Sequence, residues 1–181
     1  MDDAQTLSHI RAGNPTDYPA LLAIYNGAIA HSSATFEELP LTLAAFTERL
    51  QQLQLHFPLL VVCQQGKVVG YAYANHYKPR SAYRFCAETS IYLAPCAQGL
   101  GLGSRLYQAL CQRLAQQGFT QLIAVVTSPN PSSDALHQRL GFQPAGFLSQ
   151  VGFKFERWYD VQLYQKTLNA TPRQPSYKAM G

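Results

Sequence analysis

The segment Gln98-Gly99-Leu100-Gly101-Leu102-Gly103 sets three glycines at alternate positions between a β-rich run and a helical pattern. In that pattern Leu102, Leu106, Leu110 and Leu114 recur every four residues until Gly118 stops it. A strand passing through a tight turn straight into a helix points to an α/β fold. Bare glycine backbones let N–H groups approach a ligand, and the helix N-terminus adds partial positive charge, so the turn suits a phosphate. Its spacing excludes two nucleotide-binding loops. Counted from Gly99, the sixth position of GxGxxG falls on Ser104, and no Gly-Lys-Ser/Thr follows. The same turn could also serve only to let a helix pack closely.

At 181 residues the chain suits one domain, read here as residues 1–170 with a loose tail over 171–181, where two prolines occur without apolar periodicity. Apolar residues make up 47% and charged residues 13%, against roughly a quarter charged in ordinary domains. Such a chain buries surface readily and is not disordered. Its net charge of +4 is spread over scattered Lys and Arg, which excludes a nucleic-acid or membrane-surface patch. Cys63, Cys86, Cys96 and Cys111 match neither a metal pair nor a disulfide framework, so no metal is expected. With no signal-like start and no membrane-length apolar run, the expected setting is cytoplasmic.

Along the chain, an extended start at Ser8 to Ala12 leads to helix-start chemistry at Asn14-Pro15-Thr16-Asp17. Helical faces follow on Leu21, Leu22, Ile24, Tyr25, Ala28 and Ile29, then on Leu43, Phe46, Leu50 and Leu53. Leu59–Val62 and Val68–Tyr73 flank Gln65-Gly66 as a hairpin. Arg84 to Leu93 reads as a strand with Glu88, Ser90 and Tyr92 on one face and Ala87, Thr89 and Ile91 on the other. After the glycine turn and its helix come a buried strand at Leu122–Val126 and a helix from Ser132 to Leu140. Two last strands lie around Phe147 and over Trp158 to Leu168. This order implies a mixed sheet with helices on both faces.

Gln98, Gly101 and Gly103 form Gln-x-x-Gly-x-Gly after a strand and before a helix. In that setting the segment resembles the acyl-CoA pyrophosphate loop of the GNAT superfamily of N-acyltransferases, and the resemblance covers about Ile10 to Leu168. More narrowly, the chain is similar to the phosphinothricin and methionine sulfoximine acetyltransferase family. The segments that carry this are Ile24-Tyr25-Asn26, Ser33-Ala34-Thr35-Phe36, Gly70-Tyr71-Ala72, Ala82-Tyr83-Arg84, Glu88-Thr89-Ser90-Ile91-Tyr92, Asn130, Leu136 to Phe142, and Val151-Gly152-Phe153-Lys154-Phe155-Glu156-Arg157-Trp158.

The resemblance implies a mixed, mostly antiparallel sheet in which two central parallel strands, Arg84 to Leu93 and Gln121 to Val126, splay apart around acetyl-CoA. Ile91, Tyr92 and Leu93 would then line the thioester, with backbone N–H groups stabilising the oxyanion. Gln98, Gly99, Leu100, Gly101, Leu102, Gly103 and Ser104 would hold the pyrophosphate, and Asn130 would contact the cofactor arm or the acceptor. Glu88 is the only carboxylate between Glu48 and Asp134. Read from the residues alone, it is either a buried base of raised pKa or a strand carboxylate paired with Arg84 or Arg80. The resemblance favours the base, acting directly or through water. His137 could bond to the sulfur or relay a proton, though a lone helical His is commonly a structural residue.

Phe36, Lys78, Pro79, Arg80, Tyr83, Glu88, Thr89 and Ser90 are the candidate acceptor residues, with the Arg80 fork suited to a carboxylate or phosphinate. Two positions depart from the family pattern: Lys78 stands where Arg is common, and Glu156 where Gly is usual. The expected activity is acetyl-CoA-dependent N-acetylation of a small amino acid or analogue, by a homodimer. Acetylation of a protein N-terminus or a polyamine, and a catalytically idle acyl-CoA sensor, are the alternatives.

Overall fold

Helix initiation at the N-terminal end is chemical before it is tertiary. In the computed structural model, which describes residues 8–169, the Asn14 side chain accepts from the Thr16 N–H at 3.0 Å. The Asp17 carboxylate accepts from the Asn14 N–H at 2.9 Å. This reciprocal cap satisfies donors that have no helical partner. It is locked to strand β1 (Ser8–Ala12) by Arg11, whose guanidinium holds both Asp17 oxygens at 2.7 and 2.8 Å. Helix α1 (Tyr18–His31) follows and buries Tyr18, Leu21, Tyr25 and Ile29, which share one face. Helix α2 (Leu43–Gln54), capped by the Thr42 hydroxyl on the Ala45 N–H, buries Phe46, Leu50 and Leu53.

Strands β2 (Leu59–Gln64) and β3 (Lys67–His76) form the expected hairpin. Its two-residue turn has Gln65 at φ 50° and Gly66 at φ 75°, the left-handed pair that matches strand twist. Strand β4 spans Cys86–Leu93, so the expected start at Arg84 is two residues early. A 3-10 turn over Ser81–Tyr83 occupies the chain there, with the Arg84 N–H donating to the Ser81 carbonyl. After the glycine turn come α3 (Leu102–Gln116), β5 (Gln121–Ser128), α4 (Pro131–Arg139), β6 (Gln143–Lys154) and β7 (Arg157–Thr167). The tail expected over 171–181 lies outside the described residues.

The seven strands form one sheet in the order β1-β2-β3-β4-β5-β7-β6. Every neighbouring pair is antiparallel except β4 and β5. That parallel pair is short: Cys86, Ala87 and Glu88 register with Gln121, Leu122 and Ile123, and there the pairing stops. Both strands continue, β4 on β3 as far as Leu93 and β5 on β7 as far as Ser128. A wedge therefore opens between them past Glu88.

Pleating sends alternate β4 side chains to opposite faces. Tyr92 meets Tyr25 of α1 edge-on at 5.1 Å, and Thr89 meets Tyr107 of α3 at 2.6 Å, so helices cover both faces. Leu102, Leu106, Leu110 and Leu114 are all at most 1% exposed. Burying each such side chain contributes about 1.5–3 kcal/mol. The β6–β7 turn forms despite the missing glycine, with Phe155 at φ 50° and Glu156 at φ 56°.

Candidate active site

The wedge is a cleft of about 70 Å³. Thr89 to Tyr92 of β4 form one wall and Ala124 to Thr127 of β5 the other; Asn130 at the N-cap of α4, Ser133 and His137 within it, and Ala34 complete it. Beyond Glu88 the β4 edge that faces β5 has no strand partner, so its backbone groups are open to a ligand that lies along it. A thin arm carrying amides and a thioester fits such a slot.

At the far end of β4 the glycines divide into two kinds. A Cβ on Gly103 would lie 3.1 Å from Leu93 Cδ1, so this glycine lets α3 sit tightly on β4. Gly99 at φ 74° and Gly101 at φ 75° are in the left-handed region, and a Cβ on either meets nothing within 4 Å. They shape the turn and leave space in front of it. Gly101 caps α3 with no side-chain hydrogen bond, which leaves that end to an anion. Gln98 and Leu100 are exposed beside it and Ser104 is half-buried. These features suit acetyl-CoA: the turn offers open backbone where phosphates would lie, and the unpaired β4 edge a place where the acyl arm would lie.

Glu88 stands where the parallel pairing ends. Burial pushes its carboxyl above the ordinary range. The ion pairs among the described residues are Arg11–Asp17 and Arg49–Glu37, so pairing of Glu88 with Arg84 or Arg80 is not observed. Arg84 instead donates to the Ser81 carbonyl at 3.0 Å and lies over the Phe85 ring.

His137 is buried at 4% exposure and borders the cleft. Burial lowers its pKa, against a backbone hydrogen bond that raises it, so the ring is neutral at pH 7. Its Nδ1 lies 2.7 Å from the Ser133 carbonyl, which can only accept; the Nδ1–H tautomer follows, leaving Nε2 to accept from the Tyr107 hydroxyl at 3.2 Å. Tyr107 in turn lies 2.6 Å from the Thr89 hydroxyl. The Asn130 side-chain oxygen caps α4 through the Ser133 N–H at 3.1 Å.

The profile of the acetyltransferase (GNAT) family matches residues 22–142. The chain belongs to that family. This GNAT acetyltransferase is 45% identical over 163 residues to a phosphinothricin N-acetyltransferase of Alcaligenes faecalis, covering 89% of this chain and 83% of that protein. It is 38% identical to an L-methionine sulfoximine/L-methionine sulfone acetyltransferase of Pseudomonas paraeruginosa, over 92% of this chain and 98% of that one. A solved phosphinothricin acetyltransferase from Sinorhizobium meliloti, in complex with acetyl-CoA, superposes with a TM-score of 0.90 at 36% identity. That match covers 95% of this chain and 96% of the other.

Not every expected acceptor residue of this acetyltransferase borders the wedge. Thr89 and Ser90 do, and so do Ile91 and Tyr92. Phe36, Lys78, Pro79, Arg80, Tyr83 and Glu88 are not part of the cleft wall, and neither is Leu93. Lys78 sits over the rings of Tyr77 and Tyr83, at 5.1 and 5.5 Å. That loop joins β3 to β4 at the paired end of the wedge, a few residues before Glu88. The sequence reading missed Tyr107, Thr127 and Ser133. Tyr107 follows Leu106 on the buried face of α3, and its letter alone carries no signal beyond packing.

Proposed function

We propose that this enzyme transfers the acetyl group of acetyl-CoA to the amino group of a small amino acid or analogue of the phosphinothricin, methionine sulfoximine or methionine sulfone type. The observation that carries the reading is Glu88, a half-buried carboxylate with no ion pair among the described residues, placed where the parallel pairing ends and the wedge opens. Bound acetyl-CoA supplies an activated acyl group and a thiolate leaving group. Glu88 takes the proton of the ammonium, directly or through water, so that the amine can attack the carbonyl. Backbone N–H groups of Ile91 and Leu93, which alternate to the open β4 edge while that of Tyr92 faces β3, stabilise the oxyanion. With its Nδ1–H engaged and Nε2 accepting from Tyr107, His137 orients Tyr107 rather than protonating sulfur; the second proton, shed by the nitrogen once it is bonded to the carbonyl, goes to the departing thiolate. Arg80 recognises the acceptor's carboxylate or phosphinate with a planar fork.

Acetyl-CoA consumption, measured with free amino acids, phosphinothricin, methionine sulfoximine and methionine sulfone beside polyamines and peptide N-termini, tests the reading. Turnover of the amino acids and analogues is expected, with their decarboxylated counterparts poor. Equal turnover of decarboxylated amines would replace the amino-acid reading with a general amine acetyltransferase.

A homodimer is part of the same proposal. Phe147, Leu148, Val151, Phe153, Phe155 and Trp158 on the edge hairpin β6–β7 are each 44–59% exposed, a concentration of apolar surface that suits a second copy. Sedimentation at micromolar concentration should give the dimer mass; a monomer there would refute it. A cytoplasmic setting is part of the proposal and accords with four unpaired cysteines; among the described residues no helix is long and apolar enough to cross a membrane.

A further inference from the structure

The Lys154-centred motif near the C-terminus has no part in the chemistry above, yet its lysine is 2% exposed. A buried ammonium normally requires a carboxylate partner. Lys154 has none within ion-pair distance among the described residues. Its Nζ instead donates to the Ser32 carbonyl at 2.9 Å and to the Thr35 carbonyl at 2.8 Å. Between those two residues, the Ser33 carbonyl accepts from the Thr127 hydroxyl of β5 at 2.6 Å. The Thr35 hydroxyl lies 3.1 Å from the Tyr25 hydroxyl.

Residues 32–37 are neither helix nor strand, so the hold on their carbonyls comes from these side chains. Ala34, in the middle, is part of the cleft wall. Two residues before Lys154 on the same face of β6, Gly152 completes the seat. A Cβ there would lie 2.2 Å from the Phe36 ring, so the ring rests on bare backbone with Tyr159 beside it at 6.1 Å.

We propose that Lys154, with Gly152 beside it, is a positioning residue that pins the Ser32–Glu37 segment over the cleft and thereby sets affinity for the acceptor. Lys154 does not line the cleft. It acts through Ala34 and Phe36, and this part of the inference rests on the proposed amino-acid acetyltransferase activity. The pin also couples the acceptor side of the cleft to the edge hairpin, whose Phe153, Phe155 and Trp158 are exposed.

The test pairs hydrogen exchange with steady-state kinetics. Lys154→Met keeps the stem and removes both bonds; amide exchange over residues 33–37 should accelerate roughly tenfold or more. The acceptor KM should rise by about the same factor, with the acetyl-CoA KM moving less than about threefold. Lys154→Arg, which retains charge and donors, should restore most of the acceptor affinity. Should Lys154→Met fail to fold, Gly152→Ala displaces Phe36 without touching the ammonium and should give the same KM split. Unchanged exchange over 33–37 in folded Lys154→Met overturns the proposal. So does an acceptor KM unmoved in Gly152→Ala, or parallel rises in both KM values. If the wild type acetylates no amino acid, the functional reading fails by itself, and the exchange measurement still decides whether Lys154 holds the segment.

Discussion

Glu88→Gln is expected to lower kcat by roughly a hundredfold or more, with acetyl-CoA affinity nearly unchanged and thermal stability equal or higher. The two effects have one cause. Burial raises the Glu88 pKa above its ordinary 4.5, so the folded state holds that proton more tightly than the unfolded chain does. Stability therefore falls as pH rises from the unfolded pKa through the folded one, the reverse of a salt-bridged carboxylate. Wherever the carboxylate is ionised, burial penalises its charge, and the amide removes that cost at the same shape. Activity runs the opposite way: the carboxylate must be ionised to accept a proton, so kcat/KM should drop on the acid side of that raised pKa. The variant should lose this acid limb along with its rate. A pH–rate profile beside a melting curve at pH 7 checks both, and wild-type rates in the variant would assign Glu88 to structure.

Local chemistry made much of the fold legible. The Asn14 cap, the Gln65-Gly66 turn and the leucine repeat of α3 are each set by residues close in sequence, and each appears where the letters put it. The long edge strand β6 was harder to read because its alternation is broken twice, between Pro144 and Gly146 and between Leu148 and Gly152. It pairs because β7 supplies a template, which is a tertiary fact. The wedge has no local signature either. Ile91 and Val125 look like any strand residues; that β4 and β5 part after Glu88 depends on what each pairs with on its other side.

The site divides along the same line. Glu88 stood out because carboxylates are absent for a long stretch on either side of it, and an isolated charge in an apolar strand has few structural uses. Lys154 was visible only as a letter in a motif, since its partners are main-chain carbonyls more than a hundred residues away and carbonyls have no sequence signature. The glycines of the turn are a third case. Gly99, Gly101 and Gly103 are identical letters that the structure separates: close packing at Gly103, left-handed backbone and open space at Gly99 and Gly101.

That division makes Gly101→Val a discriminating variant, expected to weaken acetyl-CoA binding by about tenfold or more while the domain stays folded. No atom of the protein obstructs the new side chain, since a Cβ at this position meets nothing within 4 Å. The penalty is conformational: a non-glycine residue in the left-handed region costs about 1–2 kcal/mol, and a β-branched one sits there poorly. The turn will relax toward negative φ and rotate the first N–H groups of α3 away from the phosphates they would meet in concert. The isopropyl group also fills the space left in front of the turn. Gly103→Ala is the control, because its methyl presses on Leu93 at the α3–β4 contact and should act on stability before binding. Calorimetric titration with CoA, beside melting curves of both variants, separates the two outcomes. Unchanged CoA affinity in a folded Gly101→Val protein would remove the turn from the binding site and put the phosphates elsewhere.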